Sequence, residues 1–292
     1  MTMPEQPLQG ENTYVLDSSS ATEMARLMLQ DRLLNQMIGG LFPEQANLDS
    51  IHRVLDIGCG PGGWALDVAL SYQHMEVVGI DISPMMINYA CEQVNQHGLK
   101  NIEFKMMDAL QETIAFPDDY FDLINIRAAI GYVPRKSWQH LIKECFRMTR
   151  PGGILRLSEG DRIALTTSAA FETYFRYCAQ YLYAIEYGHS ADGFTYGITP
   201  VIGKLLKDAG YTGIAMKPYA LDFSYGTSFY TSQMQNIATA FKSMQPRLLQ
   251  QRLVSQNELE ELYEKMLHEL ASDDFCAIGY FITILGEKFA NV

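Results

Sequence analysis

The sequence predicts an α/β fold in which a mainly parallel, doubly wound sheet is flanked by helices on both faces. From Arg53 onward, short segments rich in Val, Ile, Leu and Phe alternate with segments of helical periodicity. Apolar runs bounded by turn residues are typical of buried parallel strands, which right-handed crossovers connect. The predicted strands are Arg53–Ile57, Glu76–Asp81, Asn101–Met106, Phe121–Ile126, Ile154–Ser158, Ile214–Phe223 and Phe275–Leu285.

The first predicted strand ends in a glycine-rich turn. Gly58, Gly60, Gly62 and Gly63 follow it closely, and a helical segment begins near Trp64. Glycine lets the backbone turn tightly and leaves room for a ligand, because it has no Cβ. The amides at the start of the following helix would point at that ligand. The turn therefore predicts a nucleotide-type binding site.

The connection between the second and third strands is predicted to be a helix with well-defined ends. Ser83 can cap its first turn, Pro84 occupies the first helical position, and Gly98 follows its last residue. Each residue type is favoured at that position of a helix. The segment therefore completes a strand–helix–strand unit.

The chain before the sheet is predicted to begin as an arm and to continue as an amphipathic helix. Residues 1–12 are mostly polar and contain two prolines, which is typical of a flexible arm. Ser20 and Glu23 form a candidate capping box for the helix. The helix either covers one face of the sheet or forms a lid over the glycine turn, with Tyr14 just ahead of it. Spacing alone favours the covering role.

After Glu159 the composition changes. Residues 162–198 are rich in Tyr, Phe and Ala, and residues 227–271 return to helical periodicity. These segments are either a helical cap over an apolar pocket or additional packed helices. The predicted organisation is an arm and helix over residues 1–50, followed by the sheet domain over residues 51–292 with these two insertions.

The composition narrows the range of partners and compartments. The 292-residue chain carries a net charge of −12 and has no block of Lys or Arg, which argues against a nucleic-acid partner. Its five cysteines are scattered without metal-ligand spacing, which indicates reduced thiols, no metal and a cytoplasmic protein. The longest apolar run, near Ala277–Leu285, is too short to span a bilayer as a helix.

Three aspartates are predicted to meet at one edge of the sheet. Asp56, Asp81 and Asp108 lie at or just after the carboxyl ends of three successive strands, and that edge of an open α/β sheet binds ligands. The glycines together with Asp81 also fit a dinucleotide site, but Asp56 would repel a pyrophosphate. Carboxylates in this arrangement accept hydrogen bonds from an ammonium, a ribose diol and an exocyclic amine. The expected ligand is an adenosyl group with an amino-acid tail and no phosphate.

Several motifs occur in an order and spacing that resemble the class I S-adenosylmethionine-dependent methyltransferases. The resemblance spans roughly residues 50–290 and is closest to small-molecule enzymes of the ubiquinone-biosynthesis and natural-product type. It implies a Rossmann-like sheet of seven strands in the order 3-2-1-4-5-7-6, with the last strand antiparallel, and a substrate cap formed by the two insertions. The motifs are Val54–Gly62, Gly79–Pro84, Met107–Ala109, Phe116–Asp122 and Arg150–Gly153.

The resemblance also implies which residues contact the methyl donor, S-adenosylmethionine. The methionine part would lie on Gly58 and Gly60, Asp81 would hold the ribose, and the helix with Tyr14 would lie over the bound donor. Four residues would surround adenine, and three residues after the fourth strand would line the donor pocket. These are Ile82, Met86, Asp108 and Ala109 for adenine, and Asn125, Arg127 and Ala128 for the pocket.

The predicted function is in-line transfer of the methyl group to a small molecule, which leaves S-adenosylhomocysteine. The many Tyr and Phe residues favour an apolar or aromatic acceptor. Because the donor is already activated, alignment and exclusion of water suffice unless the acceptor is a poorly acidic hydroxyl or a protonated amine. Glu159 and His189 are the candidates for acid–base chemistry, and no catalytic dyad is evident.

Two alternative functions use the same glycine turn. One is an NAD-dependent oxidoreductase, and the other is a non-catalytic scaffold that binds the methyl donor or nothing. The expected partners are a small-molecule substrate and a second copy of the chain, which would associate through the N-terminal arm.

Overall fold

Seven strands form one sheet in the computed structural model, which describes residues 13–289. The strands are β1 Arg53–Ile57, β2 Glu76–Asp81, β3 Ile102–Met106, β4 Phe121–Arg127, β5 Thr149–Thr166, β6 Thr212–Asp222 and β7 Ala277–Glu287. Their order is β3-β2-β1-β4-β5-β7-β6, and β7 alone runs in the direction opposite to the other six strands. The predicted fold class, strand order and antiparallel last strand are confirmed. The predicted arm, residues 1–12, and association through it lie outside the described residues.

Helices cover both faces of the sheet. Within the described part of the chain they are α1 Ala21–Ile38, α2 Gly63–Ser71, α3 Pro84–His97, α4 Trp138–Met148, α5 Ala169–Ala184, α6 Thr199–Ala209, α7 Tyr230–Gln250 and α8 Gln256–Leu270. Successive side chains of a strand point to opposite faces. Val54 accordingly packs with α2 and α3, whereas Leu55 and Ile57 pack with α4 and α6. No helix in residues 13–289 is long and apolar enough to cross a membrane.

The helix ends follow from the residues that were expected to cap them. At α3 the Ser83 hydroxyl accepts the Met86 N–H, and Gly98 adopts a left-handed backbone with φ 64°. At α1 only half of the predicted capping box forms. The Ser20 hydroxyl accepts the N–H of Glu23, but the Glu23 carboxylate pairs with Arg26 instead of returning to the cap.

Strand β5 is much longer than its predicted core, Ile154–Ser158. It extends to Thr166 because β7 continues to pair with it there, and Leu165 lies opposite Ile278. The register shifts twice between Glu159 and Leu165. Such bulges interrupt the two-residue alternation by which a strand is recognised in a sequence. The insertion predicted to begin at residue 162 therefore starts inside a strand.

Helices α5, α7 and α8 form a second apolar core beside the sheet. The ring of Tyr174 stacks on Phe241 with centroids 4.5 Å apart, and its hydroxyl donates to the Phe241 carbonyl over 2.8 Å. Phe171 and Tyr263 pack around this pair. Some of the tyrosines of this segment thus pack between helices. Other side chains of these helices face the cavity that is described next.

Candidate active site

A cavity of about 350 Å³ lies at the carboxyl edge of the parallel strands, between the sheet and helices α1 and α7. Sites in open α/β sheets occur at this edge, because the loops after the strands diverge there. Most of the residues singled out from the sequence line the cavity. They are Tyr14, Asp56, Gly58, Gly60, Asp81, Ile82, Met86, Asp108, Ala109, Arg127, Ala128 and Glu159.

Asn125 and His189 were expected at the site, and neither lines the cavity. Asn125 is fully buried behind Asp56, its register partner on β1, and donates from Nδ2 to Oδ1 of Asp56 over 2.7 Å. His189 lies in the loop after α5, where its main-chain N–H donates to the carbonyl of Tyr196. Burial lowers the pKa of His189 and so favours the neutral imidazole. The structure therefore gives His189 no contact with this cavity.

The glycine turn adopts a backbone that only glycine tolerates well. Gly58, Gly60 and Gly62 have φ angles of 67°, 55° and 83°. A Cβ on Gly58 would overlap the hydroxyl group of Tyr132, which donates to the Ile57 carbonyl over 3.1 Å. Tyr132 lines the cavity but was missed in the sequence, because it follows β4 in an irregular loop without a motif.

Gly58→Ala is expected to destabilise the fold more than the matched substitution Gly98→Ala. Both positions have a left-handed φ, so each substitution carries strain of about 1–2 kcal/mol. A methyl group added to Gly98 would have no atom within 4 Å, whereas at Gly58 the methyl group would overlap Tyr132. Urea denaturation measures both free energies of unfolding. Equal losses for the two variants would contradict the close approach at Gly58.

Asp56 is a buried carboxylate and Asp81 a half-buried one, and the two have different partners. Oδ2 of Asp81 accepts the Gly60 N–H over 2.9 Å and Oδ1 accepts the Ser83 N–H over 2.8 Å, so the carboxylate ties β2 to the glycine turn. Burial raises the pKa of both groups. For Asp56 it reaches about 6, although the charge of Arg127 and the hydrogen bond from Asn125 favour the ionised form. Asp56 is therefore predominantly ionised at neutral pH.

Helix α1 does more than cover the sheet, since residues along its length line the cavity. Asp31 on α1 forms an ion pair with Arg127, whose Nη1 also donates to Oδ1 of Asn35 over 2.9 Å. The Arg127 guanidinium lies 5.5 Å from the ring centre of Trp64. Space is tight here, because a Cβ on Gly63 would overlap the Asp31 carboxylate. These contacts hold α1 across the glycine turn.

A buried polar cluster joins α1 to the segment before it and to α7. The Tyr14 hydroxyl donates to Oε1 of Glu23 over 2.6 Å, and Arg26 forms an ion pair with the same carboxylate. Nη1 of Arg26 donates to Gln30 over 2.7 Å and to Asn236 over 3.1 Å. The sequence did not indicate this cluster, because it depends on tertiary contact between α1 and α7.

Glu159 is a buried carboxyl group with one unused oxygen. Its Oε1 accepts the N–H of Ala129, and Oε2 has no hydrogen-bond partner among the described residues. Burial raises the pKa of Glu159 to about 8. Asp161 follows on the same strand, but it accepts the N–H groups of Ile198 and Thr199 at the start of α6. Of these two acids, Glu159 is the one with a lone pair available to the cavity.

A family model described as a methyltransferase domain matches residues 54–153. That range contains β1 to the start of β5, with the glycine turn, Asp81 and Asp108. Residues 54–153 therefore match a methyltransferase domain, and the findings support a class I S-adenosylmethionine-dependent methyltransferase. The cofactor of this family is S-adenosylmethionine, and the alternative of an NAD-dependent oxidoreductase is not favoured.

Relatives of this chain are named for different acceptors. It is 33% identical over 174 residues to phosphoethanolamine N-methyltransferase 1 of Arabidopsis thaliana, covering 59% of this chain and 31% of that protein. It is 32% identical over 169 residues to 27-O-demethylrifamycin SV methyltransferase of Amycolatopsis mediterranei, covering 56% of each. The chain thus spans about a third of the first relative and about half of the second.

A solved structure shares the fold of this chain. Phosphoethanolamine N-methyltransferase 2 of Haemonchus contortus, in complex with phosphomonomethylethanolamine and S-adenosylhomocysteine, superposes with a TM-score of 0.57 at 18% identity. The match covers 94% of this chain and 59% of that one. Within residues 13–289 no group of three or more His, Cys, Asp or Glu side chains is arranged to hold a metal ion.

Proposed function

We propose that the chain transfers the methyl group of S-adenosylmethionine to a small, uncharged acceptor that is largely apolar or aromatic. The observation that carries the proposal is the charge distribution of the cavity. Asp56, Asp81 and Asp108 supply carboxyl groups to its wall, while each arginine in the described wall, Arg26, Arg127 and Arg162, forms an ion pair with a carboxylate. Such a cavity attracts a cationic sulfonium and disfavours an anionic acceptor.

The residues at the glycine turn fit the chemistry of the methyl donor. Asp56 would attract the ammonium group, and Nε of Arg127, buried without a partner among the described residues, would meet the carboxylate. Gly58 and Gly60 leave room for the methionine part. By this proposal Asp81 accepts the ribose hydroxyls, Ile82 and Met86 flank adenine, Asp108 and Ala109 meet its edge, and Ala128 and Tyr14 close the pocket.

The acceptor would bind in the part of the cavity that faces α5, α7 and the ends of β6 and β7. The side chains there are apolar, and pockets of this kind bind small molecules mainly by burying apolar surface. They include Leu182, Leu221, Phe223, Ile237, Phe241 and Met244. The acceptor would therefore present apolar surface to α7 and its nucleophilic atom to the sulfonium.

The paired arginines weigh against a phosphorylated acceptor. Arg26 is bound by Glu23, Arg127 by Asp31 and Arg162 by Glu172. A buried phosphate needs cations or many N–H donors to replace its hydration. The acceptor named for the plant and nematode relatives is phosphorylated, so the proposed acceptor differs from theirs.

Glu159 is the proposed general base for an acceptor that must lose a proton. A carboxyl group with a pKa of about 8 is matched to proton transfer near neutral pH. The positive sulfonium would favour the ionised form and lower this pKa when the methyl donor binds. Other parts of the reaction need only alignment of nucleophile, methyl carbon and sulfur in a site that excludes water.

The five cysteines support the proposal that the enzyme works in the reducing cytoplasm. All five are free thiols in the structure. Burial raises the pKa of Cys59, which lies in the glycine turn, well above its ordinary value. Cys59 is therefore proposed to fill space in the turn and not to act as a nucleophile.

Transfer of tritium from S-adenosyl-[methyl-³H]methionine to a panel of acceptors tests the acceptor class. The panel compares uncharged phenols and hydroxylated quinones with phosphoethanolamine at equal concentration. Label is expected in the organic extract of the uncharged acceptors and not in phosphoethanolamine. Preferential labelling of phosphoethanolamine would overturn the proposed acceptor class, and label in none of them would favour a non-catalytic scaffold.

A further inference from the structure

A row of buried polar side chains crosses the middle of the sheet beside the glycine turn. Asp56 on β1, Asn125 on β4 and Arg156 on β5 are register partners on adjacent strands. Their exposed fractions are 3%, 0% and 0%. Polar groups this deeply buried are costly unless they are hydrogen-bonded, so the partners of each one matter.

Each bond in the row has a defined direction. Nη1 of Arg156 donates to Oδ1 of Asn125 over 2.7 Å, and Nδ2 of Asn125 donates to Oδ1 of Asp56 over 2.7 Å. On its other side Arg156 forms an ion pair with Glu44, which also accepts the Tyr219 hydroxyl over 2.8 Å. A guanidinium only donates and a carboxylate only accepts, so the amide of Asn125 has one favourable orientation.

We infer that Arg156 is a positioning residue for the methyl-donor site, because through Asn125 it fixes the Asp56 carboxylate with one oxygen bonded and the other left for the donor's ammonium group. Arg156 itself does not line the cavity, whereas Asp56 does. The inference rests on the proposed use of S-adenosylmethionine. A row that served only to hold the sheet together would stabilise the fold without affecting the charge of Asp56.

The charges around Asp56 predict how Arg156 affects it. Burial raises the pKa of Asp56, and the charges of Arg127 and Arg156 and the hydrogen bond from Asn125 lower it. Asp31 on α1 raises the pKa of Asp56 by repulsion. The neutral groups Cys59 and Tyr132 and the carboxyl group of Asp81 are the other titratable neighbours in the cavity wall. Removal of the Arg156 charge therefore shifts Asp56 toward its protonated form.

The test uses the double variant Glu44→Gln/Arg156→Gln, in which both members of the ion pair are neutralised together. A single change would leave one buried charge unpaired, which is strongly destabilising. The probe is S-adenosylhomocysteine, titrated by calorimetry between pH 5 and pH 7.5. In the natural protein the affinity is expected to fall below a pH of about 6, the pKa of Asp56, because a protonated carboxyl no longer attracts the ammonium group.

In the double variant this fall is expected to begin at a higher pH, by at most about one unit, because the Glu44 charge on the far side of Arg156 is lost together with the Arg156 charge. Binding at pH 6 is then weaker by up to about fivefold. The titration of Asp56 itself is expected to be displaced in the same way in the ligand-free protein. NMR of protein labelled with ¹³C-carboxyl aspartate follows this titration, and the variant Asp56→Asn assigns the Asp56 signal. Asn125→Ala, which cuts the row but keeps the ion pair, should displace the titration in the same direction. It serves as the second variant if the first does not fold.

The matched control is Ser158→Ala/Thr283→Val, which removes a buried hydroxyl pair, 2.8 Å apart, from β5 and β7. It should lower stability without moving the titration of Asp56. Coincident titrations in the natural protein and in a folded row variant would overturn the inference. If the natural protein binds no S-adenosylhomocysteine, the proposed function fails, and the NMR titration still decides whether Arg156 acts on Asp56.

Discussion

Asp81→Ala is expected to weaken binding of S-adenosylmethionine by about 100-fold, since hydrogen bonds from two ribose hydroxyls to a charged group are lost. Asp81 is half-buried at the end of β2 and lines the cavity. It also accepts the N–H groups of Gly60 and Ser83, so the variant loosens the turn as well. Calorimetric titration measures the affinity, and circular dichroism reports whether the fold is intact.

Two further variants separate the ribose contact from the loosened turn. Asp81→Asn keeps one carbonyl oxygen but has lost the charge, and its affinity should lie between those of the natural protein and Asp81→Ala. Ser83→Ala removes the cap of α3 and leaves the carboxylate in place, so it should lower stability with little effect on affinity. Natural affinity in a folded Asp81→Ala variant would refute the role of Asp81.

Glu159→Gln is expected to lower kcat by about 100-fold at neutral pH if the acceptor needs a general base. The natural enzyme should gain activity as the pH rises through the pKa of Glu159, about 8 without donor and lower with the sulfonium bound. This rising limb should be absent from the variant. The matched control is Asp161→Asn, because the Asp161 carboxylate accepts hydrogen bonds at the start of α6. This variant should keep the rising limb of the pH profile. An unchanged pH profile in Glu159→Gln would exclude Glu159 as the base.

Stability gives an independent check on Glu159. Its pKa is raised from 4.5 to about 8 in the folded protein, so the folded state binds this proton more tightly than the unfolded state. The contribution of Glu159 to stability therefore declines as the pH rises from about 4.5 to about 8. Glu159→Gln lacks this decline, so its melting temperature relative to the natural protein should increase over that range. A constant difference would contradict the raised pKa.

Local signals explain why much of the fold was predictable. Strands β1 and β2 have the predicted bounds, because each is an apolar run with a clear turn on both sides. Helix α3 is defined by Ser83, Pro84 and Gly98, which act within one turn of the chain. The position of β7 between β5 and β6 is not written in any local pattern, and the family resemblance supplied it.

The candidate site was predictable where a residue directly ends a strand or belongs to the glycine turn. Asp56, Asp81 and Asp108 are of this kind. Asn125 was predicted to line the pocket but is buried behind Asp56, because its depth depends on the register between β4 and β1. The sequence did not predict Tyr132 and Arg26 as cavity residues, because an irregular loop and helix–helix contacts bring them there. Their roles depend on the tertiary structure and not on spacing in the sequence.

The most direct test of the account is calorimetric titration of the natural protein with S-adenosylmethionine. Saturable binding at one site per chain is expected, with competition by S-adenosylhomocysteine for that site. NADH added in place of the methyl donor is expected to produce no comparable heat. Absence of heat at high micromolar S-adenosylmethionine, with the fold intact by circular dichroism, would contradict the claim that the cavity at the glycine turn is a methyl-donor site.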